Sequence, residues 1–142
     1  MNLDANDAKL YADSGATAHM VNNSGKISEL KPYEGNDAIV VGNGDCLNIS
    51  HTGNTSIDTG ISKLYLKNVL VIPSLKKNLL LIGQLAHDNS CIIEFSYNKF
   101  VVKDYQGNIL AKGTKTKWFY ALDEGYHAAL YLSEGSKAPY NI

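Results

Sequence analysis

Metal-binding spacings, a charge excess of either sign and long apolar runs are all missing from this chain. Its two cysteines (Cys46 and Cys91) and four histidines (His19, His51, His87 and His127) form no Cys-x-x-Cys or His-x-x-x-His pattern. No structural metal is therefore expected, and no cofactor. Two cysteines allow at most one disulfide. We read them as reduced thiols in a cytosolic setting, with Cys91 inside an apolar run as a core residue and not a nucleophile. Thirteen basic against 14 acidic residues give a formal net charge of -1. No basic patch dominates, which argues against nucleic acid as the main partner. The opening Met1-Asn2-Leu3-Asp4 does not read as a signal peptide, and no apolar run approaches the length of a membrane span. A Gly-x-Ser-x-Gly elbow is lacking, as is a phosphate-binding glycine motif; Gly42-Asn43-Gly44 has neither a third glycine nor a following helix.

What is present points to β structure. The 142 residues suit one domain, with 44% apolar and 19% charged residues, a globular composition. Twelve glycines and nine tyrosines accompany many Val, Ile and Thr, the residue types that strands and tight turns favour. Residues 1–8 read as a flexible arm, residues 9–12 as a buried strand, and Thr17 to Lys31 as loop. Strands are expected at 38–41 and 46–50, and over Lys63–Ile72, which Pro73 ends. His51-Thr52-Gly53-Asn54 reads as a turn, with Ser56 to Ser62 pairing back on the preceding hairpin. Lys76-Lys77-Asn78 reads as a solvated turn. Leu79–Ile82 is a short strand ending at Gly83, with a helical turn or two over Gln84–Asp88. Hairpins follow at 91–104 and around Gln106-Gly107-Asn108, and 118–122 closes the pattern. The expected class is all-β with one short helix.

Chemistry concentrates in two places. The first strand stops at Asp13, followed by Ser14 and Gly15, a pairing that lets the backbone turn sharply. These residues admit two readings: an ordinary strand-ending turn with a solvated carboxylate, or a carboxylate held among backbone amides for acid–base work. The second place is Val41-Gly42-Asn43-Gly44-Asp45 between two β-like runs, where Asn-Gly is the strongest short-range hairpin signal. It fits a plain surface hairpin or a slim flap over an extended ligand. Asp58-Thr59-Gly60 repeats the acidic triplet, but the residues before it are polar. We read it as a solvated turn.

In order, these features resemble the retropepsin-type aspartic proteases. In wording, Tyr11-Ala12-Asp13-Ser14-Gly15-Ala16-Thr17-Ala18-His19-Met20, Val41-Gly42-Asn43-Gly44, and Leu66–Leu70 through Pro73–Leu80 are similar to the protease segment of Ty1/copia retrotransposon Gag-Pol polyproteins. The likeness covers about residues 9–122. The end, Trp118–Leu122, is similar to the junction preceding integrase, with 123–142 as linker toward it. Ser14 stands where retropepsins more often carry threonine, an equivalent hydroxyl, and Ile82-Gly83 is closer to the wider retropepsin pattern than to the commonest copia wording.

The resemblance implies a closed-barrel acid-protease half, active as a two-fold homodimer in cytoplasmic virus-like particles. It implies Asp13 as the catalytic residue, Ser14, Gly15, Ala16 and Thr17 as its loop, and Val41, Gly42, Asn43 and Gly44 as the flap. Ile82 and Gly83 would support the loop. Partners would be a second copy of the chain and extended Gag-Pol peptide segments, with neither metal, cofactor, nucleic acid nor membrane. Two rivals are a protease-fold domain that no longer cleaves and serves as a dimerising or protein-binding module, and an unrelated β-rich binding domain.

Overall fold

The computed structural model describes residues 9–123 other than 26, 42 and 118. The strands, in chain order, are β1 (Leu10–Asp13), β2 (Met20–Val21), β3 (Ser28–Pro32), β4 (Ala38–Val40), β5 (Cys46–Asn48), β6 (His51–Asp58), β7 (Lys63–Val71) and β8 (Asn78–Leu81). Among the described residues a single short helix α1 (Ile82–Asn89) is followed by β9 (Cys91–Phe95), β10 (Lys99–Asp104), β11 (Ile109–Thr116) and β12 (Phe119–Leu122). The class is all-β with one short helix, as the composition indicates. Among the described residues ten strands make one sheet in the order β3-β6-β7-β2-β8-β1-β12-β11-β10-β9, and β4 and β5 make a separate ribbon. That order ends at β3 and β9, and among the described residues no pairing joins these two edges to close a barrel.

The sequence dictates the longest ladder through a change of phase. In β7, Leu64 and Leu66 point inward, then Val69 and Val71 do. Alternation with period two cannot give both pairs, so one residue must break step. Asn68 does so with φ 57, and its amide donates to Asn54 Oδ1 at 3.0 Å, where the β6–β7 register shifts between Gly53 and Thr55.

The same bulge corrects the expected turn at His51–Asn54. These residues begin β6, because both sides of the segment are paired, with β3 and with β7. Gly53 looks like a turn signal but serves as a gap: a Cβ there would overlap the Ile27 side chain and the Ser28 carbonyl of the crossing chain. The expected loop at Thr17–Lys31 likewise contains β2 and β3, whose short pairings are set by distant strands. Ser56 to Ser62 does not pair with the hairpin; β6 runs antiparallel to β7. Asn78 is no solvated turn residue either: it is fully buried, and its side-chain oxygen accepts the Asn22 amide at 2.9 Å.

Among the described residues two apolar clusters hold the sheet. The larger includes Leu10, Val21, Ile57, Leu80, Leu85 and Phe100. The smaller is Met20, Ile72 and Leu75, with Ile39 and Leu47 of the ribbon packed on it. This second cluster seats the β4–β5 ribbon over the end of β1. At the far end Phe95, Phe100 and Tyr120 stack edge-on or tilted at 5.1 to 6.3 Å. Gly113 permits this, since a Cβ there would overlap the Phe100 ring.

Candidate active site

β1 is an interior strand, parallel to β8 and antiparallel to β12. Leu10 and Tyr11 are buried, while Ala12 and Asp13 are half-buried at the strand's open end. The chain turns there because Asp13 Oδ1 accepts the Gly15 amide at 2.7 Å, a local side-chain-to-backbone bond that replaces the next ladder bond. A Cβ on Gly15 would lie 3.4 Å from that same oxygen, so the loop backbone runs at contact distance along the carboxylate.

Beside this turn lies a cavity of about 520 Å³. Asp13, Gly15, Ala16 and Thr17 form one wall, Ala38–Val41 of the ribbon another, and Met20, Leu75 and Leu79 the apolar floor. A concave, mostly apolar groove with one acidic group on its wall suits an extended chain carrying apolar side chains. The ribbon pairs Ala38 with Asn48, Ile39 with Leu47 and Val40 with Cys46. Its tip closes through the Gly44 amide donating to the Val41 carbonyl at 2.8 Å and the Val41 amide to the Asp45 carbonyl at 3.0 Å. Gly44 adopts φ 91, which explains its glycine.

Of the residues singled out from sequence, Asp13, Gly15, Ala16, Thr17 and Val41 meet at this cavity. Ser14 is exposed beside it. Asn43 reaches a neighbouring cavity of about 510 Å³, which shares Val41, Leu75 and Leu79 with the first. Gly44 sits at the exposed hairpin tip, and Gly42 lies outside the described residues. Ile82 and Gly83 open α1 directly after Leu81, the residue paired with Asp13. Gly83 is exposed, and a Cβ on it would meet nothing within 4 Å, so packing inside one chain does not require glycine there.

Sequence reasoning missed the cavity floor and the buried histidine behind the loop. Met20, Leu75 and Leu79 come from three segments that only the sheet brings together, and no local pattern marks them. His19 is fully buried. Its Nδ1 accepts the Leu81 amide at 2.9 Å. Burial pushes its pKa down to about 4, against an opposing pull from Asp88. Asp58 is exposed, as expected, with Oδ1 accepting the Gly60 amide at 2.9 Å. Among the described residues no group of three or more His, Cys, Asp or Glu is arranged to hold a metal ion.

Fold and site together define a β domain built around an aspartate-bearing loop under a hairpin. Residues 10–91 match the family described as "Pol polyprotein, beta-barrel domain", and the chain belongs to that family. It is 34% identical over 132 residues to the retrovirus-related Pol polyprotein from transposon RE1 of Arabidopsis thaliana. To the corresponding polyprotein from transposon RE2 of the same plant it is 31% identical over 132 residues. Each alignment takes in 91% of this chain, and the chain spans 9% of the length of these relatives. No solved structure gives a significant match.

Proposed function

We propose that this domain is an aspartic endopeptidase of a retrotransposon Gag-Pol polyprotein, with Asp13 as its catalytic residue. The observation that carries the reading is the carboxylate of Asp13 at the open end of an interior strand, on the wall of a hairpin-covered groove. Homology to retrotransposon Pol polyproteins supports it.

Uncatalysed attack of water on a peptide carbonyl is slow, and one carboxylate cannot both take a proton from water and give one to the carbonyl oxygen. Two carboxylates across one water can, because like charges that close share a single proton. The ionised member takes a proton as the water oxygen bonds to the carbonyl carbon. The protonated member gives its proton to the carbonyl oxygen, leaving a gem-diol. A proton then passes to the amide nitrogen as the carbon–nitrogen bond breaks. Each chain brings one such aspartate, so two copies related by a two-fold axis supply the pair. The shared proton is lost as pH rises, so the rate falls toward alkaline pH.

Cleavage of an unfolded protein and of the flanking polyprotein, from acid to neutral pH, tests this. Wild type should cleave, lose activity steeply on dilution, and be blocked by a statine-type inhibitor. Asp13→Asn should dimerise without cleaving. A well-folded wild-type dimer that cleaves nothing would instead favour a protein-binding module.

A further inference from the structure

His19 is a buried titratable group for which the chemistry above has no use, and its surroundings give it one. The imidazole lies at the far end of the loop that Asp13 begins, immediately before Met20 of the cavity floor. Its Nδ1 accepts the Leu81 amide. Leu81 pairs with Asp13 in the β1–β8 ladder and caps α1 without any side-chain bond of its own. The His19 carbonyl accepts the Leu70 amide at 2.9 Å. One residue thus ties the loop to β7 and to the β8–α1 junction, level with the carboxylate.

The bond also fixes the ring's proton. Leu81 donates, so Nδ1 is bare and the neutral ring carries its proton on Nε2. Nε2 is buried and has no partner among the described residues. A buried donor left unpaired is disfavoured; leucine here would remove the Nε2 donor but would leave the Leu81 amide without its acceptor. We propose that His19 is a positioning residue for the Asp13 site: by accepting the Leu81 amide it holds the 14–19 loop against the β8–α1 junction, and on protonation it lets that junction go. A proton on Nδ1 turns the acceptor into a donor that faces another donor. The catalytic consequence rests on the endopeptidase reading; the geometric one does not.

The charged groups around the ring are few. Asp88 of α1 favours the charged ring, burial outweighs it, and the exposed His87 lies 3.1 Å from Asp88. Asp13 stands on β1, opposite Leu81. Neither β8 nor residues 69–72 carry an ionisable side chain.

The test uses the full chain as wild type, His19→Leu and His19→Asn, since the asparagine oxygen reproduces the acceptor near Nδ1 but does not titrate. Nitrogen NMR of the ring should show the Nε2–H form with Nδ1 hydrogen-bonded. His19→Leu should lower kcat about 10- to 100-fold with KM little changed, the scale of a misplaced catalytic group. His19→Asn should recover most of that rate and should lack the fall in wild-type activity as pH drops through about 4. An Nδ1–H ring, a His19→Asn variant no faster than His19→Leu, or an unchanged acid limb would overturn the proposal. If wild type cleaves nothing, the endopeptidase reading fails separately. The protection of the Leu81 amide, measured against the free-peptide exchange rate at each pH, then decides: it should fall as pH drops through about 4 in wild type and not in His19→Asn, and equal protection rejects the role. That readout also serves if His19→Leu does not fold.

Discussion

The chain writes an acidic triplet twice, and the two copies fold alike yet stand in different places. At Asp13-Ser14-Gly15 and at Asp58-Thr59-Gly60 a strand ends in aspartate, whose Oδ1 accepts the glycine amide at 2.7 and 2.9 Å. Beyond that bond they diverge. Thr59 is buried; its hydroxyl donates to the Leu110 carbonyl at 2.6 Å and accepts the Ser62 amide at 3.0 Å. The hydroxyl is consumed in fastening β6 to β11, and the carboxylate is turned out to solvent. Ser14 is exposed, and Asp13 lines a cavity with the ribbon above and apolar floor below. The triplet specifies a turn. Whether that turn becomes a site depends on what the sheet places opposite it.

The largest effect should come from removing each carboxylate in turn. Asp13→Asn should reduce cleavage by about 10³-fold or more, the range spanned by loss of acid–base catalysis, with folding intact. Asp58→Asn should leave the rate within about twofold, since exposed substitutions away from a site change little. The reverse pattern, read from initial rates at equal folded concentration, would move the site to the second triplet.

Acid should next separate the two ends of the molecule. His19 is buried and neutral, with a pKa lowered to about 4 against 6.5 in the unfolded chain, so the unfolded state binds the extra proton first. Stability is therefore full above about pH 6.5 and declines as pH falls to about 4, by up to about 3 kcal/mol, and then levels off. Denaturant unfolding across that window, with His19→Asn as the flat reference, measures it. Amide protection, measured against the free-peptide exchange rate at each pH, should drop around Leu81 and Gly15 before it drops around Gly60.

How much of this was legible follows the range of each interaction. The Asp13 turn and the Asn43-Gly44 hairpin were readable because both are set by neighbours within a few residues. The β9–β10 and β10–β11 hairpins were readable for the same reason. Thr17–Lys31 was not, because β2 and β3 exist only through pairing with β7, β8 and β6. His51–Asn54 misled because Gly53 clears space for a crossing chain in place of making a turn. His19 gave no signal at all, since its partner Leu81 lies 62 residues away.

The hydroxyls sharpen the comparison at intermediate size. Thr59→Val keeps the shape and removes the bond to Leu110, so it should destabilise by about 1–3 kcal/mol, as for a buried acceptor losing its donor. Ser62 Oγ, 3.4 Å from the same carbonyl, should hold the loss toward the lower figure. Ser14→Ala should shift single-chain stability by less than about 0.5 kcal/mol, and any effect it has should appear in the dimer or in cleavage. Thermal unfolding of both variants at one protein concentration compares them.

The glycines give the smallest and most discriminating contrast. Gly60 sits at φ 84, whereas Gly15 is not among the positive-φ residues. Alanine at position 60 is forced into the left-handed region, which disfavours it by about 1–2 kcal/mol. Alanine at position 15 meets no such strain, and its Cβ falls at contact distance from Asp13 Oδ1. Gly15→Ala should therefore leave the unfolding midpoint nearly unchanged. Its methyl would nevertheless lie along the carboxylate on the cavity wall, where a peptide and a water must approach, and should slow cleavage about tenfold. Gly60→Ala should do the opposite, lowering the midpoint and sparing the rate per folded molecule. If both glycines instead affected stability alone, the Asp13 loop would be a second copy of the Asp58 turn, and the groove beside it would need another explanation.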